Sequence, residues 1–511
     1  MQTMITASNF LTKGRTGNIL FRYASLIGIA KKYNKELRLP FWEDSIYFEG
    51  IFPEGEIEGN CRDLKETTFH YVPEWPAINE NENVDIDGYL QSERYWEHCK
   101  EDVLKALTFK EEFKEQIRQG FDFSKPTIAI SIRRGDYVGH DCYFQLNINY
   151  FYLSLQEFKD WRECNIIVFS DDIPYCRVHF GCLSNVQFSE NNSPIEDLCL
   201  MSQCDRHIIS NSTFSYWGAY LSQSKQVIRP NGLFDGKLLR LNDDKDFWPE
   251  PWTIFDHINK RIELTDVTFV IPVMYDHPDR QQNLELCVKI LQKNFDTNIL
   301  IGEQKAMHFE YLSQSCDYLF FEGMTVFHRT KMLNEMFRHA KTPIIFNWDA
   351  DVIIAPVQVM EAVLKLRSGI EMVYPYDGQF ARIPRAIWID RLWCYEDIGM
   401  VGDTKFNGMN HNDAVSLGGA VGILKDKYLA IGGENENFIS FGAEDVERKI
   451  RAERMGHKVE RVPGAMYHVN HWVGVNSSTK NPYFHANRNE FEKVNQMDSV
   501  ELSNYISSWK E

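Results

Sequence analysis

Thr127-Ile128-Ala129-Ile130-Ser131-Ile132 runs straight into Arg133-Arg134-Gly135-Asp136-Tyr137. The first six residues, opening after a Lys125-Pro126 break, read as a strand. In open α/β sheets ligands bind outside the carboxyl ends of strands, which is where the charged cluster falls. Two adjacent guanidinium forks clamp a diphosphate well, and a glycine beside them permits close backbone approach. The bland alternative for these four residues alone is a solvated loop with a surface ion pair. Two further strand ends weigh against it. Asn165–Phe169 leads into Ser170-Asp171-Asp172, and His207–Ser210 leads into Asn211-Ser212-Thr213-Phe214-Ser215, where a helix begins. Hydroxyls and free amides at a helix start make a phosphate site. Near the chain start, Gly14-Arg15-Thr16-Gly17-Asn18 is read as a glycine turn preceding another helix.

Apolar, β-branched runs alternate with amphipathic stretches along the whole chain, which is the α/β pattern. With 511 residues there is too much sequence for one core. Asn242–Thr265 carries DDKDFWPEPW and then a charged, helix-like segment, after which Asp266–Val273 (DVTFVIPV) reads as the first strand of a new sheet. The expected division is 1–262, with lobes 1–125 and 126–262, and 263–511.

A net charge of −18 argues against a surface that grips a phosphate backbone, so neither nucleic acid nor an anionic membrane is an expected partner, and any phosphate ligand must be met by local cations or a metal. Eleven cysteines without a CxxC pair suit reduced core thiols. No 18-residue apolar run and no leader pattern are present, and the chain reads as cytoplasmic.

In the second half, Pro343–Asp351 (PIIFNWDAD) is a buried-type strand ending in Asp349-Ala350-Asp351. Alternate carboxylates there can hold a divalent cation that in turn holds a diphosphate. Solvated loop aspartates are the plainer reading, and context decides between them. His468 and His471 in Met466–Trp472 supply imidazoles of the kind manganese accepts beside carboxylates. Phe441-Gly442-Ala443-Glu444-Asp445 opens a helical segment, where the dipole favours anions and a base must stay ionised.

Five ordered motifs resemble the bacterial α-1,2-fucosyltransferases: Gly14–Ala24, Gly88–Trp96, Ile132–Val138, Phe169–Ile173 and Asp197–Leu221. The resemblance implies a GT-B fold, a GDP-fucose donor, no metal and inversion at the anomeric carbon. It gives Arg133, Arg134 and Asp136 to GDP, with Arg134 also counted as catalytic, and puts Ser212 and Thr213 near the phosphates. Glu93, Asp136 and Asp171 all stay open as the general base.

The second half resembles GT-A galactosyltransferase-like enzymes of the β-1,4-galactosyltransferase type. The resemblance runs from Ile271-Pro272-Val273 with Arg280, through Ile301–Gln304, Phe327–Asn334 and Asn347–Asp351, to Gly418–Gly433, Phe438–Ile450 and Gly464–Trp472. It implies that Arg280, Gln304, Phe327, Arg329 and Asp349 contact the UDP-sugar. Asp349, Asp351 and His468 are implied as ligands to manganese or magnesium, Glu444 as the acceptor contact and Asp445 as the base. His471 competes with His468 for the metal role.

The expectation is therefore an α/β chain in which a GT-B-like pair of Rossmann-like lobes precedes a GT-A mixed α/β domain. It would act as a bifunctional inverting glycosyltransferase on a glycan acceptor, free or lipid-linked. The rivals are UDP-glucose, UDP-GlcNAc or UDP-GalNAc as second donor, and a non-catalytic glycan-binding role for the first half.

Overall fold

Thr127–Ile132 is a strand, buried at all six positions, inside a six-stranded parallel sheet. The structure, a computed structural model, describes residues 3–56, 59–256, 258, 260–322, 326–401 and 415–509. The chain forms two compact units, Met1–Cys176 with Asn185–Asn259, and Arg177–Ser184 with Lys260–Glu511.

The amino-terminal unit holds two parallel sheets. The first has strands β1 (Met4–Thr6), β2 (Glu36–Leu37), β3 (Cys61–Lys65) and β4 (Asn83–Asp87) in the order β2-β1-β4-β3. The second has β5 (Thr127–Ile132), β6 (Asn165–Ser170), β7 (Val186–Phe188), β8 (Arg206–Ile209), β9 (Val227–Pro230) and β10 (Thr253–Phe255), ordered β10-β9-β8-β5-β6-β7. Counted from β5, that is the 3-2-1-4-5-6 order of a doubly wound sheet, and the order reverses between β5 and β8. The expected pair of Rossmann-like lobes is thus present.

Helix α1 (Thr16–Lys32) packs against α2 (Thr213–Leu221). The contact is aromatic: Phe21 lies 4.5 Å from Tyr216 and 5.3 Å from Trp217, ring centre to ring centre. These rings belong to a core that also holds Ile5 of β1 and Ile209 of β8. Burying each such side chain stabilises by roughly 1.5–3 kcal/mol, so the two lobes are welded by one core. Seven of the eleven cysteines lie buried as thiols.

Two local readings need correction. Thr16, Gly17 and Asn18 form the first turn of α1 and do not precede it. Among its described residues, the charged stretch before Thr265 holds no helix; it contains the edge strand β10 and the start of β11 (Ile262–Met274). Ile262 and Leu264 alternate inward with exposed Glu263, so period two wins over charge density.

In the carboxy-terminal unit, β11 is followed by β12 (Phe295–Gln304), β13 (Asp317–Phe321), β14 (Ile344–Trp348), β15 (Val352–Ile353), β16 (Met372–Tyr374), β17 (Phe380–Ile383), β18 (Ala420–Leu424), β19 (Val459–Arg461) and β20 (Met466–Val469). The main sheet is ordered β13-β12-β11-β14-β18-β16-β19, mixed because β18 runs antiparallel to both neighbours. A small sheet, β15-β20-β17, continues from the end of β14. Helices α3 (Pro278–Asn294), α4 (Arg329–His339) and α5 (Glu444–Arg454) deliver most of the charged residues discussed below. Among the described residues, no helix is long and apolar enough to cross a membrane.

Candidate active sites

In the amino-terminal unit, the loops after β5, β6 and β8 meet at the point where strand order reverses, the place such sheets bind ligands. Arg133 pairs with both Asp136 and Asp171. Arg134 is 5% exposed; its Nε donates to Asp172 Oδ2 at 3.2 Å, its backbone N–H donates to Asp171 Oδ1 at 2.8 Å, and its guanidinium lies 3.5 Å above the Tyr175 ring. Gly135 cannot be replaced cheaply, because a Cβ there would stand 2.3 Å from Asp171 Oδ2. Ser212 caps α2, its hydroxyl accepting from Phe214 N–H at 3.3 Å, and Thr213 is the first helical residue.

The start of α1 meets the start of α2 closely. A Cβ at Gly17 would come within 2.6 Å of Phe214 N, so only glycine allows it. Arg15, the residue before α1, reaches Asp136 at 3.5 Å. The amide ends of two helices and the cations Arg15 and Arg133 therefore converge, an arrangement suited to an anion. Of the three open base candidates, Asp136 and Asp171 share Arg133, whereas Glu93 accepts from Lys100 at 2.6 Å and Tyr220 at 2.9 Å.

In the carboxy-terminal unit the corresponding reversal lies between β11 and β14, and a cavity of about 360 Å³ opens beside it. Arg280, Phe327, Arg329, Asp349, Asp351, Glu444, Asp445 and His468 all line it, together with His471. Gln304 does not line it. Its amide is fully buried, donating to Val326 O at 2.6 Å and accepting from His328 N–H at 3.0 Å, so it shapes the loop that carries Phe327.

Asp351 is the hub. Arg280 Nη1 donates to its Oδ2 at 2.6 Å, His471 Nε2 lies 3.0 Å from Oδ2 and His468 Nε2 lies 3.6 Å from Oδ1. Ligand atoms of Asp351, His468 and His471 all lie within 4.8 Å of one another. Asp349 stands outside that trio and accepts from Arg329 at 2.7 Å. Burial opposes ionisation of Asp351, yet His468, His471 and Arg280 hold it well below the usual carboxylate range. Burial lowers His468, keeping its imidazole neutral. His471 moves up, because its bond to Asp351 outweighs burial.

Glu444 and Asp445 share one helix start but not one state. Burial, then the neighbouring Asp445 charge, pushes Glu444 up to about 8, and its Oε2 is buried with no hydrogen-bond partner among the described residues. Burial also works against Asp445, but Arg448 and Arg329 outweigh it and hold that carboxyl low. One acid able to keep a proton beside one kept ionised is a usual division of acid and base roles. Arg382 also lines the cavity and pairs in register with His468 across β17 and β20. Nothing in the sequence marked it, because that neighbourhood exists only once the strands pair.

Residues 5–252 match Glycosyl transferase family 11, and residues 403–473 match the N-terminal domain of galactosyltransferase. The chain is 31% identical over 188 residues to the α-1,2-colitosyltransferase of Escherichia coli, covering 33% of this chain and 62% of that protein. It is 25% identical over 251 residues to the galactoside 2-α-L-fucosyltransferase SEC1 of Bos taurus, covering 45% and 68%. The catalytic domain of Drosophila β1,4-galactosyltransferase 7, in complex with xylobiose, superposes at a TM-score of 0.26 with 14% identity, over 39% of this chain and 65% of that one. Glucosyl-3-phosphoglycerate synthase of Mycobacterium tuberculosis does so at 0.27 with 12% identity, over 40% and 71%.

Proposed function

We infer, from a chain that joins a glycosyl transferase family 11 domain to a galactosyltransferase domain, that it is a bifunctional inverting glycosyltransferase. The carboxy-terminal unit transfers a sugar, galactose by preference, from its UDP donor. The amino-terminal unit transfers fucose from GDP-fucose to the 2-hydroxyl of the terminal galactose so formed. One observation carries the reading: a single cavity gathers Asp351 with two imidazoles, two arginines held by carboxylates, and an ionised Asp445.

The donor set fits a divalent cation. A carboxylate and a neutral imidazole within 3.6 Å of each other suit manganese, and the second imidazole makes a compact trio. Asp351, His468 and His471 would hold it, with Asp349 beside them; when bound, it supplies positive charge against the departing diphosphate. Arg280 and Arg329, now paired with Asp351 and Asp349, are placed to turn to the UDP phosphates. Asp445 takes the proton of the acceptor hydroxyl, and Glu444 holds the acceptor. In the amino-terminal unit Arg133 and the facing helix ends play the phosphate role without imidazoles.

Order of addition followed by mass spectrometry tests the sequence of events. With GDP-fucose alone, an acceptor without terminal galactose stays unmodified; with UDP-galactose added, it gains a hexose and then a deoxyhexose. Fucose without prior hexose overturns the order. Hexose from another UDP-sugar only overturns the galactose choice, and no fucose on a galactose-terminated acceptor leaves the first unit a glycan-docking module.

A further inference from the structure

Arg448 falls within the Phe438–Ile450 motif but is given no role by the resemblance, yet it is 1% exposed and carries three strong contacts. Its Nε and Nη2 donate in parallel to the two oxygens of Glu434, at 2.8 and 3.0 Å. Its remaining arm, Nη1, donates to Asp445 Oδ1 at 2.6 Å. A planar fork spent on one carboxylate has no freedom left in its third nitrogen. Glu434 is fixed in turn: it is 2% exposed, accepts from Tyr428 at 3.1 Å, and has its backbone N–H bound to Asn334 at 2.8 Å.

The two oxygens of Asp445 are consequently unlike. Oδ1 takes both guanidinium contacts, from Arg448 at 2.6 Å and from Arg329 at 3.5 Å. Oδ2 takes no hydrogen bond among the described residues and faces Gly418, where a Cβ would stand only 2.7 Å away. Gly418 and Asp445 both line the cavity.

We propose that Glu434 and Arg448 are positioning residues that clamp Asp445 by Oδ1, so that Oδ2 is the oxygen that receives the acceptor proton, in a gap kept open by Gly418. This rests on the reading of Asp445 as base. As the acceptor oxygen bonds to the anomeric carbon, its proton passes to Oδ2, and the bond from that carbon to the diphosphate breaks with its electron pair leaving on UDP. Arg448 stays charged throughout and offsets the charge of the carboxylate only on the side away from the reaction.

The test uses the full chain with manganese, UDP-galactose and a panel of monosaccharide acceptors, reading kcat, KM for the donor and, by calorimetry, UDP affinity. Asp445→Asn is the reference. Arg448→Lys keeps a cation but loses the fork, and Arg448→Gln with Glu434→Gln replaces the buried ion pair by neutral partners, so Glu434 is not left as an unpaired charge and Asp445 keeps Arg329. Each is expected to lower kcat on the order of tenfold or more, with UDP affinity and donor KM within about twofold. Glu434→Gln alone should cost as much as the pair, since residues acting in series do not add. Gly418→Ala should lower kcat in the same way. Unchanged kcat in the Arg448 variants beside an inactive Asp445→Asn overturns the clamp. Parallel loss of UDP binding reduces Arg448 to a structural residue and overturns it too. An active Asp445→Asn, or no transfer by the native chain, breaks the underlying reading instead.

Discussion

The two units place arginines against aspartates at the same point of similar sheets, and differ in what surrounds the pairs. In the amino-terminal unit Arg133 is paired with Asp136 and Asp171, and Arg134 with Asp172. In the carboxy-terminal unit Arg280 is paired with Asp351 and Arg329 with Asp349. Pre-paired arginines are oriented before any ligand arrives, which lowers the cost of ordering them. They are also partly neutralised, so an incoming diphosphate must displace or outbid the aspartates. Two helix ends help in the first unit. In the second, two imidazoles also approach Asp351, His471 at the oxygen that Arg280 holds and His468 at the other, and a cation among them would compete with Arg280 for the carboxylate. Among the described residues, that trio is the only such group of potential ligands. The chemistry of the arginines is shared; the imidazoles make the difference.

Removing divalent metal is the harshest way to break that comparison. Chelation by EDTA should abolish transfer from the UDP-sugar and leave transfer from GDP-fucose largely intact, with manganese restoring the former. The measurement is product formation by mass spectrometry with each donor separately. Equal sensitivity of the two activities would show that the units handle the diphosphate alike.

The comparison also shows what a sequence makes legible. The strand 127–132 and the start of α2 after Ser212 stand where the apolar runs and capping residues put them, because both signals are local. Most residues assigned to the second site do gather in one cavity, since strand ends and helix starts in an α/β sheet converge on one edge. Pairing was not legible. That Arg280 meets Asp351, 71 residues away in the chain, depends on β11 lying beside β14. His468 and His471 look equivalent in the sequence, and only the course of β20 and the turn after it brings His471 nearer to Asp351. Gln304 was read as a donor contact, but its place at the buried end of β12 turns its amide to the neighbouring loop.

A milder intervention separates the two adjacent arginines of the first unit. Arg133, with its side chain 18% exposed, is held by acids at the surface, whereas Arg134 is stacked and nearly enclosed. Arg133→Ala should weaken GDP binding on the order of tenfold, the scale of one charge-assisted hydrogen bond, with little change in melting temperature. Arg134→Ala should weaken GDP binding and also destabilise by about 1–3 kcal/mol, because Asp172 loses a charged partner and the Tyr175 ring loses its stacked guanidinium. Calorimetric titration with GDP and thermal unfolding read the two effects. Equal loss of stability from both substitutions would erase the distinction, and neither should alter UDP-sugar transfer.

The last prediction concerns the acid beside the base, and it tests whether the second site stores unfavourable charge. Glu444 titrates at about 8 in the folded chain against an ordinary 4.5, because burial and then Asp445 disfavour its anion. Between those values the folded state keeps a proton that the unfolded chain has released. Stability should therefore fall as pH rises through that window and level off above about 8, with a slope from this group of at most about 1.4 kcal/mol per pH unit. Glu444→Gln carries no such proton and should flatten this part of the profile. It should be least different from the parent below pH 5 and relatively more stable above pH 8. Burial of Glu66 in the first unit, pushed up to about 7, contributes a similar fall that ends a pH unit earlier and remains in the Glu444→Gln chain. Urea unfolding of parent and variant between pH 5 and 9, in the absence of divalent metal, measures the difference directly. Parallel profiles across pH 7 to 8 would mean that Glu444 is ionised in the fold and that the second site tolerates both acids as anions.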